Sequence, residues 1–300
     1  MNLQHLRFFT ALARERHFAA AAEACGVTQP TLSAGLRALE QELGKRLVER
    51  DRRFIGLTEH GQAILPWAQQ VLGSLRGLTQ AAGALSAPLQ GEFRLAAIPA
   101  ALPLIGPFGA ALMAQHPGLT LAVHSATARE IARGLAASAF DAGVTYLDHE
   151  PPADVLAVPL HAERHLFVAR RGGAFDRHRA ATWAEVAAER LCLLHQGMQF
   201  RRILDREFAA RGLAVSPAAV ADSYVSLLAL VRTGGFGTVI PDAYADLVAG
   251  QDWAVLLPFS APAPDRRMGL VVVNRDPLGP LARAGLQAAQ AAGAGPDSAL

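Results

Sequence analysis

Apolar residues in the first third of the chain recur at spacings of three and four, which places them on one stripe of an α-helix. Leu3, Leu6, Phe9 and Ala13 mark a first, core-facing helix. A short helix over Phe18–Ala24 follows, closed by the turn Cys25-Gly26-Val27. Thr28 is an N-cap for the next helix, with Pro30 in the first turn, where a missing backbone N–H costs little. Leu32, Leu36, Leu39 and Leu43 form its inner stripe, with Gln29, Ser33 and Arg37 on the other face. Two short helices across a tight turn, the second with an outer face able to hydrogen-bond, predict a helix-turn-helix.

After the strand-like pairs Leu47-Val48 and Phe54-Ile55, Thr58 caps a long helical run to about Ala87, with Glu59 favourable in its first turn. Ile64, Ala68, Val71, Leu75, Leu78, Ala82 and Leu85 alternate spacings of four and three, a heptad seam. No second apolar face precedes this stripe to receive it, so the seam is expected to pair two protomers. Pro66, Gly73, Gly77 and Gly83 weaken the helix locally; Ser86-Ala87-Pro88 ends it, and Gln90-Gly91 makes a hinge.

From Glu92 short apolar runs alternate with helical stretches. Strands are predicted over 93–98, 119–124 and 141–146, with helices over 102–115 and 128–137. An extended crossover over His161–Arg170 leads to strands 191–194, 218–221, 237–240 and 255–257 and helices near 201–211 and 223–233. Strand 268–274 and an Ala-rich helix from Gly279 return to the first set, and 293–300 reads as a frayed tail. The divisions expected are 1–58, the helix-turn-helix domain; 59–87, the linker helix; 88–91, the hinge; and 92–300, the two-lobed α/β domain. Within the last, one lobe takes about 92–161 and 266–300 and the other about 162–265. Two such α/β lobes enclose a cleft at the carboxyl ends of their strands. The positions expected to face it are Ala100, Ser125, Thr127, Arg129, Gln196, Met198, Gln199, Arg202 and Ser223. Helix-start N–H groups, the hydroxyls and the Gln and Arg side chains, Arg201 included, suit a small anionic effector such as a carboxylate.

The segment LQHLRFFTALARERHFAAAAEACGVTQPTLSAGLRALEQELGKRLVER, closing on LTEHG, resembles a LysR-type transcriptional regulator in register over roughly the first sixty residues. The resemblance implies an all-α winged helix-turn-helix, a long dimerising linker helix and an α/β two-lobed, periplasmic-binding-protein-like effector domain, assembled as dimers or tetramers. On it, Thr28, Gln29, Pro30, Thr31, Ser33 and Arg37 make the DNA-reading face, and Arg50, Arg52 and Arg53 a wing that grips the phosphate backbone or minor groove. Positions 34 and 35, commonly long and polar in the family, are Ala34 and Gly35, which removes two donors to DNA and shifts weight to the wing. Ala100 stands where family members commonly carry Ser or Thr. The segments GVTYLDHEP (143–151) and MQFRRILD (198–205) resemble regulators associated with formate-dehydrogenase operons.

Composition narrows the alternatives. The net charge is only +2, but residues 1–87 hold ten Lys and Arg against seven Asp and Glu, and residues 88–300 hold eighteen against nineteen. The basic excess therefore sits in the DNA-reading part. Two cysteines, Cys25 and Cys192, give neither a disulfide framework nor a four-cysteine metal site. No apolar run reaches membrane-spanning length, and a cytoplasmic protein is expected. His161-Ala162-Glu163-Arg164-His165 would share one face of a strand as a metal site, but lacks H-E-x-x-H spacing. Gly234-Gly235-Phe236-Gly237 follows a helix rather than a strand, the wrong order for a phosphate cradle. No catalytic residue, metal or cofactor is expected. The rival readings are a solute-binding protein and a metal-dependent enzyme built on the two-lobed part. The partners expected are double-stranded DNA, a small-molecule effector, RNA polymerase and further copies of the chain.

Overall fold

The computed structural model describes residues 1–51, 53–84 and 88–293. Three helices, α1 (Leu3–Glu15), α2 (Phe18–Ala24) and α3 (Gln29–Leu43), precede a hairpin of β1 (Val48–Asp51) and β2 (Arg53–Leu57). The Thr28 hydroxyl accepts from the Thr31 N–H, and Gly44 ends α3 with φ +62°, a left-handed conformation that suits glycine. Leu6, Phe9, Leu12, Leu32, Leu36, Leu39 and Leu47 form the buried core of this head. The 26-residue helix α4 (Glu59–Ala84) leads out of it.

The linker seam needs correction. Ala68 is buried in the head, and Ile64, Leu65 and Leu72 pack on the same core, because α1 receives the first turns of α4. The apolar face left open is Trp67, Val71, Leu75 and Leu78, with Trp67 and Leu78 69% and 68% exposed. Leu85 and the expected end of the helix at Ala87 lie outside the described residues, as does the tail beyond 293.

The remainder forms two α/β lobes. Lobe I contains β3 (Gln90–Ala97), α5 (Ile105–Gln115), β4 (Gly118–Ser125), α6 (Ala128–Ala136), β5 (Ala142–Tyr146) and β6 (Val155–Glu163). Lobe II contains β7 (His165–Arg170), α7 (Trp183–Ala188), β8 (Cys192–Leu194), α8 (Gln199–Ala210), β9 (Ala219–Ala221), α9 (Tyr224–Thr233), β10 (Thr238–Pro241), α10 (Ala245–Val248) and β11 (Ala254–Pro258). The chain then returns to lobe I through β12 (Arg266–Val273) and α11 (Pro280–Gly293). Lobe I has a five-stranded sheet in the order β4-β3-β5-β12-β6, with β3 parallel to β4 and β5. Lobe II has β10-β7-β11 and the pair β8-β9. Among the described residues no helix is long and apolar enough to cross a membrane.

Several expectations shift in detail. The extended crossover over 161–170 is two strands in different sheets, broken at Arg164, and β6 begins at Val155. The helix expected from Leu102 begins at Ile105, after a 3-10 turn over Pro99–Leu104 that holds two prolines. Helix α7 has no counterpart among the expected elements, although Thr182 and Glu185 close a full capping box at its start.

Candidate functional site

Helix α3 carries the outer face that the sequence suggests. Thr28, Gln29, Pro30, Thr31, Ala34 and Arg37 are exposed, and Ser33 is half-buried with its carbonyl accepting from Arg37 Nε at 3.3 Å. Gly35 does not belong to this face. A Cβ there would fall 2.6 Å from the Phe8 ring and 2.9 Å from His5, so the glycine lets α1 and α3 approach closely. No donor toward DNA is lost at position 35.

The hairpin sits beside the last turns of α3. Its register ends with Asp51 opposite Arg53, and a bulge lies between Glu49 and Arg50. Arg53 is exposed, while Arg52 and the side chain of Arg50 lie outside the described residues. Arg37, Lys45 and Arg46, with Glu40, Gln41 and Gly44, line an open notch of about 300 Å³ between α3 and the loop that follows it. The buried Glu40 carboxylate accepts from the backbone N–H groups of Leu47 (2.9 Å) and Val48 (3.3 Å), fastening the hairpin to α3. Thr58 donates its N–H to the Leu47 carbonyl, and Gly61 packs so closely there that a Cβ would overlap it. Neither Glu40 nor Gly61 stands out in the sequence, since each acts on backbone distant along the chain.

Between the lobes, Ala100, Thr127, Met198 and Gln199 come together, joined by Ile98, Pro99, Ala128, Leu194 and Phe200. Ser125, Arg129, Gln196, Arg202 and Ser223 are not in this lining. Ser223 caps α9, accepting from Val225 N–H, and Thr127 caps α6 in a capping box with Glu130. The space enclosed is about 10 Å³, enough for one water. The lobes are clasped across it. Gln199, almost fully buried, donates its amide to the His149 carbonyl and lies 3.5 Å from the Thr145 hydroxyl. Arg202 pairs with Glu150 at 2.7 Å, and the Tyr244 hydroxyl donates to the Pro99 carbonyl at 2.6 Å. Arg201, expected to finish a carboxylate site, is buried and held by Asp205 (2.7 Å) and the Leu194 carbonyl (2.8 Å). It is structural.

The three side chains of the His-Ala-Glu-Arg-His segment part company. His161 pairs with Asp242 at 2.7 Å, while buried Glu163 accepts the Tyr146 hydroxyl. His165 lies in lobe II against the rings of Trp183 and Phe200. Among the described residues no three His, Cys, Asp or Glu side chains gather as a metal site requires. Burial lowers His165 from 6.5 to about 4 and raises Glu163 well above the ordinary carboxylate value. Unfolded, His165 takes up a proton below about 6.5, whereas folded it stays neutral down to about 4. Stability from this group is therefore lost as pH falls from 6.5 to 4. His165→Phe is expected to flatten the acid limb of a melting-temperature profile in that window, and an unchanged difference between the two proteins across it would refute the assignment.

A helix-turn-helix with a two-stranded wing, joined by a long helix to two clasped α/β lobes, defines a DNA-binding transcription regulator governed by an effector domain. Residues 3–62 match the family described as bacterial regulatory helix-turn-helix protein, lysR family, and residues 86–294 match the LysR substrate binding domain. The chain belongs to the lysR family. It is 36% identical over 271 residues to a probable hydrogen peroxide-inducible genes activator of Mycobacterium avium, covering 89% of this chain and 86% of that protein. It is 29% identical over 285 residues to the DNA-binding transcriptional dual regulator OxyR of Escherichia coli K12, covering 93% and 91%. A full-length OxyR variant from Pseudomonas aeruginosa, with aspartate in place of a cysteine, superposes with a TM-score of 0.77 at 27% identity, covering 97% of this chain and 94% of that one. CbnR complexed with its target DNA gives 0.71 at 21% identity, covering 97% and 100%, a likeness of fold. The protein is thus a LysR-type regulator that binds double-stranded DNA and a small-molecule effector.

Proposed function

We propose that this regulator senses its effector by reversible binding between the lobes and not by thiol chemistry, although its relatives include peroxide-inducible gene activators. One observation carries the reading: the residues lining the cleft include no cysteine, and buried Gln199 lies at the start of α8. Peroxide sensing by a thiol needs an accessible thiolate. Cys192 is fully buried in the core, and burial pushes its thiol up to about 11; burial also raises half-buried Cys25, in the head. Exposure to hydrogen peroxide is therefore expected to leave DNA affinity and intact mass unchanged. A shift in affinity that Cys192→Ser abolishes would overturn the reading.

The cleft is mostly apolar, with Thr127 and Gln199 as its polar lining, and suits a small molecule with one hydrogen-bond-accepting head. A carboxylate head draws support from the first turn of α8, which has no side-chain cap, and from Arg202, whose partner Glu150 is exposed and displaceable. Segments 143–151 and 198–205, which resemble regulators associated with formate-dehydrogenase operons, meet in one clasp through Gln199, His149, Arg202 and Glu150. Formate and short carboxylates are then the first probes for a thermal shift.

Reading faces at Thr28, Gln29, Pro30, Thr31, Ser33 and Arg37, with wing arginines 50, 52 and 53, serve DNA in this proposal. The division at 1–58, 59–87, 88–91 and 92–300 follows the same logic. The open face Trp67, Val71, Leu75 and Leu78 of α4 pairs two protomers, which doubles the DNA footprint on a pseudo-palindromic site.

A further inference from the structure

We infer that α6 is the rod through which the effector cleft acts on the linker helix, and that Ser138 and Gly73 are the joint at its far end. The inference rests on the reading that the effector sits between the lobes.

Thr127 and Ala128, at the start of α6, line the cleft. The body of the helix is wedged into lobe I. Ile131 and Leu135 are buried, a Cβ on Gly143 of β5 would overlap Ile131, and one on Gly134 would overlap the Phe140 ring. Nine residues at 1.5 Å rise make a stiff element roughly 13 Å long. Beyond its end, Ser138 adopts φ +54° and meets α4 directly. A Cβ built on Gly73 would overlap the Ser138 side chain, and Arg76 of α4 donates to the Ser138 carbonyl at 2.5 Å.

Two further arginines close on the same turn. Arg94 of β3 donates to the Ser138 carbonyl at 3.1 Å and is itself held by Asp141 at 2.7 Å. Arg275, after β12, donates to the Ser138 hydroxyl at 3.0 Å and to the Ala136 carbonyl at 3.1 Å. The linker, the central sheet and the end of β12 therefore share one contact point, and one helix runs from it to the cleft.

This explains a residue that otherwise only costs stability. A glycine inside an exposed helix costs about 1 kcal/mol relative to alanine, yet at position 73 it provides the notch that seats Ser138. The notch has two discrete states, seated and unseated, which a shift of α6 at its cleft end selects between. Coupling then follows from the differential stability of those states, as any allosteric linkage requires.

Hydrogen–deuterium exchange on the full-length protein tests this without an identified effector. Gly73→Ala is expected to raise exchange over residues 70–80 at least fivefold, although alanine is the better helix former. Adding Ser138→Gly, which removes the overlapping atoms and suits the positive φ, is expected to restore protection. Gln199→Ala, which loosens the clasp at the other end, is expected to raise exchange at 70–80 in the otherwise unaltered protein and to add nothing in the Gly73→Ala protein. The inference is overturned if Ser138→Gly fails to rescue, or if Gln199→Ala leaves 70–80 unchanged or acts equally in both backgrounds. A thermal-shift series with formate, run separately, reports on whether the cleft takes that ligand, so the two readings fail independently.

Discussion

Replacing Glu40 with alanine is expected to destabilise the DNA-binding head by about 3 kcal/mol, because two buried N–H groups would lose their acceptor. The carboxylate lies on α3 but serves Leu47 and Val48, where the hairpin begins. Thr58 and Gly61 tie the start of α4 to the carbonyl of the same Leu47. One residue therefore locks recognition helix, hairpin and linker together, and its loss frees the hairpin from the surface that aims it. Chemical denaturation of the full-length protein should show an earlier transition, accompanied by weaker DNA binding. Glu40→Gln, which keeps an acceptor, should retain much of the lost stability. An alanine variant as stable as the parent would show that the hairpin is held by its apolar contacts alone.

The second large effect concerns charge. Arg37 and Arg46 line the notch beside α3, Arg53 stands on the hairpin, and all three are exposed and make no ion pair with a carboxylate among the described residues. In the proposed binding mode each replaces a counterion on a phosphate. Changing all three to alanine is expected to make the slope of log affinity against log salt shallower by about 2.7 and to weaken binding roughly a hundredfold near physiological salt. The loss should be uniform across sequences, since phosphate contacts carry little sequence information. A triple variant that keeps the parental slope would place the phosphate grip elsewhere.

Much of this architecture can be read from local patterns. Thr28 caps α3, the leucine stripe of α3 is buried, and the strands and helices of both lobes, β6, α7 and α10 apart, fall within a few residues of their expected places. What cannot be read locally is whatever depends on a distant partner. The α4 seam misleads because its first apolar turns are received by α1, some sixty residues earlier. The break at Arg164 is hidden because no glycine or proline between Leu160 and Arg170 marks the point where the chain changes sheet. Gly35 and Gly73 look like helix weaknesses until Phe8 and Ser138 are seen against them. The engagement of Arg201 by Asp205 is legible, being a plain i,i+4 pair. In the cleft, four of nine expected residues line the cavity, and the clasp through His149 needs the fold to appear.

The direct test is a salt titration of the full-length protein on duplex DNA carrying its regulated promoter. A head that sets a helix and a basic hairpin against the phosphate backbone predicts log affinity falling linearly, with a steep negative slope, as log salt rises. Attachment that is absent at low salt, or that does not weaken as salt increases, would contradict it.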